Sequence, residues 1–273
     1  LEYRGYDSAG VAYLKNNKIN IVKTSGKIIN LENKLNKSDE SNIGIAHTRW
    51  ATHGKANSIN AHPHRVNHIT LVHNGIIENY EELKEMLIDN NYSFKSSTDT
   101  EVATALLDYY YEKFNDVDKT IKAFMDKVIG SYAITMIIDN DLDNLYVLKK
   151  ESPLVIGISD NTNIVSSDIR AVLKYTNKYY ILDDFEYAKV SSNEVIIKSI
   201  KGEILNKELH TLDLKDNDNS KGHYKHYMLK EIMEQKTTIL KTVLPFIEEG
   251  IKSLMTLPDL TKYKEISIIG CGT

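Results

Sequence analysis

Short apolar runs broken by polar turns dominate the start of the chain. Val11–Leu14 and Ile19–Lys23 flank the turn-like tetrapeptide Lys15-Asn16-Asn17-Lys18 and predict a β-hairpin. Ile43–Trp50 and Ile69–His73 read as further short strands ending in polar loops. The period then changes. Across Asn79–Asp89, Leu83, Met86 and Leu87 fall on one face of a helix, and across Asp99–Phe114, Val102, Leu106 and Tyr109 do the same. Thr98 stands before the second helix with Glu101 three residues on, the pattern of an N-cap closed by a capping box. Thr120–Val128 predicts a third, shorter helix. β-prone runs return at Ala133–Ile138, Leu145–Leu148, Leu154–Ile158, Ile164–Ser166, Tyr179–Leu182, Ala188–Ser191 and Val195–Lys198. Helices gathered between two groups of strands predict an α+β architecture in layers, with helices packed on antiparallel sheets.

Hydrophobicity drops from Leu214 to Gly222, a polar stretch that reads as an interdomain linker. Met228, Ile232, Met233, Ile239, Leu240 and Val243 then mark a long amphipathic helix up to Pro245, followed by a second short helix and a terminal strand at Ile266–Ile269. The boundary is expected near Asp216: a first domain over 1–215, a linker over 216–224, and the start of a second domain over 225–273. The chain opens at Leu1 directly into a Gly-rich turn and stops in Gly270-Cys271-Gly272-Thr273, so it is expected to be a piece cut at both ends.

Composition narrows the function classes. The 273 residues are 41% hydrophobic and 26% charged, ordinary for a soluble globular protein. Thirty-four Lys and Arg against 38 Asp and Glu leave a net charge of −4, which offers no electrostatic reason for a nucleic acid or an anionic membrane as partner. No apolar run is long enough to span a bilayer, and no signal peptide opens the chain. One cysteine excludes an internal disulfide framework and fits a reducing compartment, so a cytoplasmic location is expected.

Polar functional groups concentrate between positions 47 and 75: His47 to Gly54, Asn60 to His64, and His73-Asn74-Gly75. A metal site built from His62, His64, His68 and His73 is one reading, but no Cys or acidic ligand is interleaved at ligand spacing, and no metal is expected. A purely structural role fits any one of these residues better than it fits the whole cluster. A substrate pocket accounts for more of it. Arg49 offers a planar fork suited to a carboxylate. Asn74 offers a side-chain amide and Gly75 an unobstructed backbone N–H, two donors suited to a tetrahedral oxyanion. Asp99, at a helix start, suits an ammonium. Together these describe a site for an amino acid attacked at a side-chain carbonyl. A nucleophilic pair using Cys271 is the fourth reading, disfavoured because Cys271 is apolar-flanked and remote from the cluster.

Several stretches closely resemble the glutamine–fructose-6-phosphate aminotransferases, also called glucosamine-6-phosphate synthases: Leu1 to Gly10, Arg49 to His53, Asn60 to His64, Val72 to Asn79, Thr98 to Glu101, Ser152 to Gly157 and His226 to Ile232. The resemblance runs from end to end. It implies a class II glutaminase domain, a four-layer αββα sandwich of the N-terminal-nucleophile hydrolase type, followed by the start of an α/β sugar isomerase domain. The nucleophile of such enzymes is a cysteine whose own α-amino group is the base. Carried over by residue, Arg49 binds the glutamine α-carboxylate, Thr52 and His53 line the pocket, Asp99 binds the α-ammonium, and Asn74 and Gly75 form the oxyanion hole. Trp50 resembles the family's gate on the ammonia path, and Arg4 an arginine near the catalytic amino terminus. Cys271, Gly272 and Thr273 resemble the first sugar-phosphate loop of the second domain. The implied reaction moves the amide nitrogen of glutamine to fructose 6-phosphate, with glutamine bound by the first domain, fructose 6-phosphate by the second, no cofactor, and a homodimeric parent.

The chain departs from that pattern in one respect: the family's catalytic cysteine would lie upstream of Leu1, which has no nucleophilic side chain. These residues alone are therefore expected to release no ammonia. Other class II amidotransferases, such as phosphoribosyl-pyrophosphate amidotransferase or asparagine synthetase, fit the pocket but not the linker helix and the terminal Gly270–Thr273 loop. A non-catalytic glutamine-binding module would keep Arg49 and Asp99 without a nucleophile. A purely structural partner domain explains none of the pocket.

Overall fold

The computed structural model describes residues 5, 7–36, 38–50, 54–212, 223–248 and 260–265. The chain divides into two compact units, residues 1–214 and 215–273.

In the first unit, β1 (Ser8–Lys15) and β2 (Lys18–Ser25) form the expected hairpin. Asn16 and Asn17 close it at φ 52° and 57°, left-handed values that a two-residue hairpin turn needs and that asparagine tolerates better than most side chains. A short helix, α1 (Ile28–Glu32), follows, and β3 (Gly44–Arg49) pairs with the other side of β1. The chain continues through β4 (His64–Val66), β5 (Ile69–Ile77), α2 (Tyr80–Asp89), α3 (Asp99–Phe114), α4 (Val117–Lys127), β6 (Gly130–Ile138) and β7 (Asp141–Lys150). It closes with β8 (Val155–Gly157), β9 (Ile164–Ser166), α5 (Ile169–Val172), β10 (Lys178–Ile181), β11 (Glu186–Val190), β12 (Val195–Ser199) and β13 (His210–Thr211).

These strands make three antiparallel sheets with the orders β2-β1-β3, β13-β10-β8-β9 and β12-β11-β7-β6-β5-β4. The six-stranded sheet is the middle of the first unit because both its faces are apolar. Ile134, Met136 and Ile138 of β6 belong to a core that also holds Leu83, Leu87, Leu106, Ile121 and Phe124 of the three long helices. Their neighbours on the strand face the other way. Ala133 joins Val147, Ala188, Leu154 and Ile156, and Ile137 joins Ala12 and Ile45 of the hairpin sheet. Period-two alternation with both phases buried therefore builds helix on sheet on sheet. The short α1 and α5 lie beside β2 and β9 as the outer helical layer, so the αββα sandwich is present with a thin fourth layer among the described residues.

Two boundaries and one cap differ from expectation for identifiable reasons. Helix α4 starts at Val117 rather than Thr120 because Asp116 caps it, accepting from the Lys119 N–H at 3.0 Å. Strand β5 runs on to Ile77 because Gly75, at φ 131°, carries the chain through a conformation closed to other residues. Thr98 caps α3 as expected, accepting from the Glu101 N–H at 3.3 Å, but the capping box does not close. The Glu101 carboxylate instead accepts from the N–H groups of Lys95 and Ser96, while the Thr98 N–H is taken by Ser96 Oγ.

In the second unit, α6 (Tyr227–Glu248) passes through Pro245 instead of ending there. Proline removes one helical hydrogen bond but has a helix-compatible φ, and only three residues follow. Met228, Ile232, Met233, Ile239, Leu240 and Val243 are all exposed. Leu260–Lys262 forms a 3-10 turn, and positions 249–259, over which the second short helix is expected, fall outside the described residues. Positions 216–222 of the expected linker, and the strand expected at Ile266–Ile269, fall outside the described residues. Among the described residues no helix is long and apolar enough to cross a membrane.

Candidate active site

A cavity of about 260 Å3 lies where the ends of β3 and β5 meet the start of α3. Strand β3 contributes His47 and Arg49 and is followed by Trp50; β5 contributes His73, Asn74 and Gly75; α3 and its cap contribute Thr98, Asp99 and Thr100. Ser166 and Ser167, at the end of β9, complete the far wall. Segments from 25 to more than 100 residues apart in sequence thus supply one pocket.

Arg49 is 5% exposed and is the last residue of its strand. Its Nη1 donates to the Lys55 carbonyl at 3.3 Å. Burial pushes its pKa down, and the carboxylates of Asp7 and Asp99 pull it back up. Asp99 is 6% exposed. Its Oδ2 accepts the backbone N–H of Ile77 at 2.9 Å, and Thr100 donates to its Oδ1 at 3.4 Å. The first residue of α3 therefore carries its charge where the helix dipole favours an anion, beside a guanidinium. A cation and an anion facing one small cavity match the two charges of a free amino acid.

Gly75 could not be another residue. An added Cβ would lie 2.0 Å from the Ser131 carbonyl oxygen, at a φ that L side chains rarely adopt. Gly130 on the facing strand is under the same constraint, with its Cβ 2.1 Å from the Ile76 carbonyl. Two glycines let β5 and β6 approach here and leave the Gly75 backbone exposed at the cavity. Asn74 Oδ1 lies 2.8 Å from His47 Nε2, and Asn74 lines the same wall.

Four imidazoles cluster here, and three of them, His47, His62 and His73, line the cavity. The His47 and His62 rings lie 4.3 Å apart and those of His62 and His64 5.3 Å. His73 Nδ1 is 3.1 Å from Thr100 Oγ1, and His64 Nε2 is 3.2 Å from Thr98 Oγ1. Burial holds all four below the usual imidazole range, His47 at about 4 and His64 at about 3. They are neutral hydrogen-bonding groups at ordinary pH. His68, grouped with them on sequence, lies elsewhere, against Glu112 at 2.7 Å. No three His, Cys, Asp or Glu among the described residues are placed to hold a metal ion. Lys23 ties the histidine loop to the hairpin, donating to the carbonyls of Ile59 and Pro63 at 3.1 and 3.3 Å. Burial lowers its pKa to about 8.

The structure thus brings Arg49, Trp50, Asn74, Gly75 and Asp99 to one cavity. Arg4, Thr52, His53, Cys271, Gly272 and Thr273 lie outside the described residues. Sequence reasoning passed over His47, although alternation along β3 puts it on the same face as Arg49. It also passed over Ser166 and Ser167, for which no local pattern gave a signal.

A second cavity, about 730 Å3, adjoins the first and shares Ala46, Val72, Thr135, Val165 and Ser166 with it. It separates β3 and β9, which are edge strands of their sheets among the described residues.

The chain is similar to glutamine amidotransferases in part of its sequence and in its fold. Residues 47–174 match the family described as a glutamine amidotransferase domain. At the level of fold, the chain is similar to the glutamine phosphoribosylpyrophosphate amidotransferase from B. subtilis, with a TM-score of 0.63 at 23% identity, covering 74% of this chain and 45% of that one. A structure described as the allosteric regulatory enzyme of purine biosynthesis matches equally, with a TM-score of 0.63 at 24% identity over 75% of this chain and 45% of that one. More particularly, the homologues similar over the whole of this chain are glutamine–fructose-6-phosphate aminotransferases (isomerizing). The protein of Clostridium acetobutylicum is 46% identical over 283 residues, and that of Caldanaerobacter subterraneus subsp. tengcongensis is 42% identical over 282. Each match covers all of this chain and 46% of the relative, so the chain spans about half the length of the curated relatives it matches.

Proposed function

We propose that this chain is the glutamine-hydrolysing part of an enzyme that transfers the amide nitrogen of glutamine to fructose 6-phosphate, giving glucosamine 6-phosphate and glutamate. The convergence of Arg49, Asp99 and the Asn74-Gly75 pair on one cavity carries the reading. Arg49 holds the α-carboxylate of glutamine and Asp99 its α-ammonium, which leaves the side-chain amide pointing at Asn74 and Gly75. A thiolate adds to the amide carbon, and the oxyanion that forms accepts from the Asn74 side chain and the Gly75 N–H. The base returns the thiol proton to the leaving nitrogen, ammonia departs, and a γ-glutamyl thioester remains. Water then adds to the thioester and releases glutamate and the thiol.

The only cysteine of the 273 residues is Cys271, which lies outside the described residues and is apolar-flanked and remote in sequence from the pocket cluster. The attacking cysteine is supplied by chain outside these residues. The cavity between the β3 and β9 edges supports entry of an extra strand there, because it opens into the candidate site. Trp50, 58% exposed at the cavity mouth, gates ammonia on its way to a sugar isomerase domain that begins after the boundary near Asp216. Arg4 packs beside the catalytic amino terminus, and Thr52 and His53 finish the glutamine pocket. Cys271, Gly272 and Thr273 begin the sugar-phosphate loop, and the protein works as a cytoplasmic homodimer.

The test reads the coding DNA in frame upstream of the Leu1 codon and assays the longer product for glutamate release. Met-Cys-Gly followed by an apolar strand, with turnover that vanishes when that cysteine is replaced, is expected. Ammonia release by the 273 residues alone would overturn the assignment of the nucleophile. Tight glutamine binding without turnover in the natural protein would make it a glutamine sensor instead.

A further inference from the structure

His47 is not part of the glutamine pocket's charge pair, yet its ring touches the residue that most needs orienting. A carboxamide can present either its oxygen or its nitrogen to a substrate, and only the nitrogen can stabilise an oxyanion. In this structure Asn74 Oδ1 faces His47 Nε2 at 2.8 Å, and the Asn74 side chain makes no hydrogen bond to any other described residue. The amide nitrogen is thereby left available to the cavity that Asn74 lines.

We infer that His47 is a positioning residue that donates from Nε2–H to Asn74 Oδ1 and so keeps the Asn74 amide nitrogen aimed at the reacting carbonyl. The inference rests on the glutaminase reading above. Two arrangements are compatible with the heavy atoms alone. In one, Nε2 carries the proton, and His47 Nδ1, which has no hydrogen-bond partner among the described residues, keeps only a lone pair. In the other, the Asn74 amide is turned over, Nε2 accepts, and Nδ1–H has only the poorly aligned His73 carbonyl to meet. An orphaned N–H is costlier and rarer than an orphaned lone pair, so the first is favoured. The ring is held in place by His62, whose centroid is 4.3 Å away. It is also kept uncharged by its burial, which leaves a single ring proton to be placed.

The test has two readouts. Long-range 1H–15N correlation spectra of the chain, with His47→Gln as the assignment control, are expected to show His47 protonated at Nε2 and bare at Nδ1. The Nδ1–H tautomer, directed toward the nearby His73 carbonyl, would overturn the inference. In the longer, cysteine-bearing product, loss of an oriented oxyanion donor predicts a fall in kcat of about 10- to 100-fold for His47→Leu with KM for glutamine little changed. His47→Gln, whose amide nitrogen stands near the position of Nε2, restores most of it. With Asn74→Ala already present, His47→Leu should cost nothing more, because the two act as a unit. Each variant is checked for an unchanged melting temperature, which a merely structural role would lower. Equal kcat for the Leu and Gln variants, or additive losses in the double variant, would refute the role of His47 while leaving the glutaminase reading intact. No hydrolysis by the unsubstituted longer product would instead remove the reading on which the inference rests.

Discussion

The backbone N–H of Ile77 donates to Oδ2 of Asp99 across 2.9 Å. This one bond joins the end of β5 to the start of α3, and it links the residues at the Asn74-Gly75 corner to the proposed ammonium ligand. It does so with a side chain that also supplies the pocket's negative charge.

Asp99→Asn separates those duties. The amide oxygen can still accept from Ile77, so the domain should fold with a near-native denaturation midpoint. The charge opposite the α-ammonium is gone, and calorimetric glutamine affinity of the cysteine-bearing product should weaken about 10- to 100-fold. Asp99→Leu leaves the Ile77 N–H buried and unpaired, and should cost about 1–3 kcal/mol of stability as well. Unaltered affinity in the Asn variant would argue against Asp99 as the ammonium ligand.

Gly75→Ala and Gly130→Ala should each be strongly destabilising. Both would place Cβ at 2.0–2.1 Å from a carbonyl oxygen of the facing strand, and both hold a positive φ whose strain alone is worth about 1–3 kcal/mol. Gly202→Ala is the control. Gly202 also has a positive φ, but its nearest atom is 3.9 Å away, so strain acts without a clash. Urea midpoints for the three variants should rank accordingly, with Gly202→Ala the mildest.

Acid should unfold the first unit early. Unfolded, its histidines take up protons near pH 6.5; folded, His47 does so only near 4 and His64 only near 3. Their folded-state pKa values are depressed, so the stability they contribute is complete above pH 6.5 and is lost as pH falls toward the folded values. At 1.36 kcal/mol per pKa unit the loss is on the order of 8 kcal/mol for the pair, comparable with the whole stability of an ordinary domain. Urea titrations from neutral pH downward should show the midpoint dropping below pH 6.5, and His64→Gln should flatten the drop. A midpoint constant from pH 6.5 to 4 would contradict the burial of these rings.

Asp108 should matter for stability though it touches nothing in the site. It is fully buried in α3 and accepts from Asn67 Nδ2, the His68 N–H and the Tyr92 hydroxyl at 2.7–3.0 Å. Asp108→Ala leaves three donors without an acceptor and should cost about 3 kcal/mol or more. Tyr92→Phe removes one bond and should cost about 1 kcal/mol. Denaturant curves with unchanged slope would measure both.

Much of this was legible along the chain. The helix Asp99–Phe114 has the expected bounds, because its N-cap Thr98 marks the start locally, although it is buried all round from Asp99 to Asp108. The hairpin was legible because two asparagines between β-prone runs have few other conformations open to them. The residue types for holding an amino acid, Arg49, Asp99, Asn74 and Gly75, could be named because each carries a distinctive functional group. Tertiary structure alone decided the rest. Only the crossing of β3, β5 and α3 brings those four residues to one cavity. Only pairing across β5 and β6 shows why Gly75 must be glycine. Glu101 takes Lys95 and Ser96 rather than closing its capping box, and His47 becomes the partner of Asn74, because a side chain's hydrogen-bond partner depends on which groups packing leaves within 3 Å. Sequence spacing carries the local geometry of helix and turn, whereas contacts between distant segments depend on how whole layers stack.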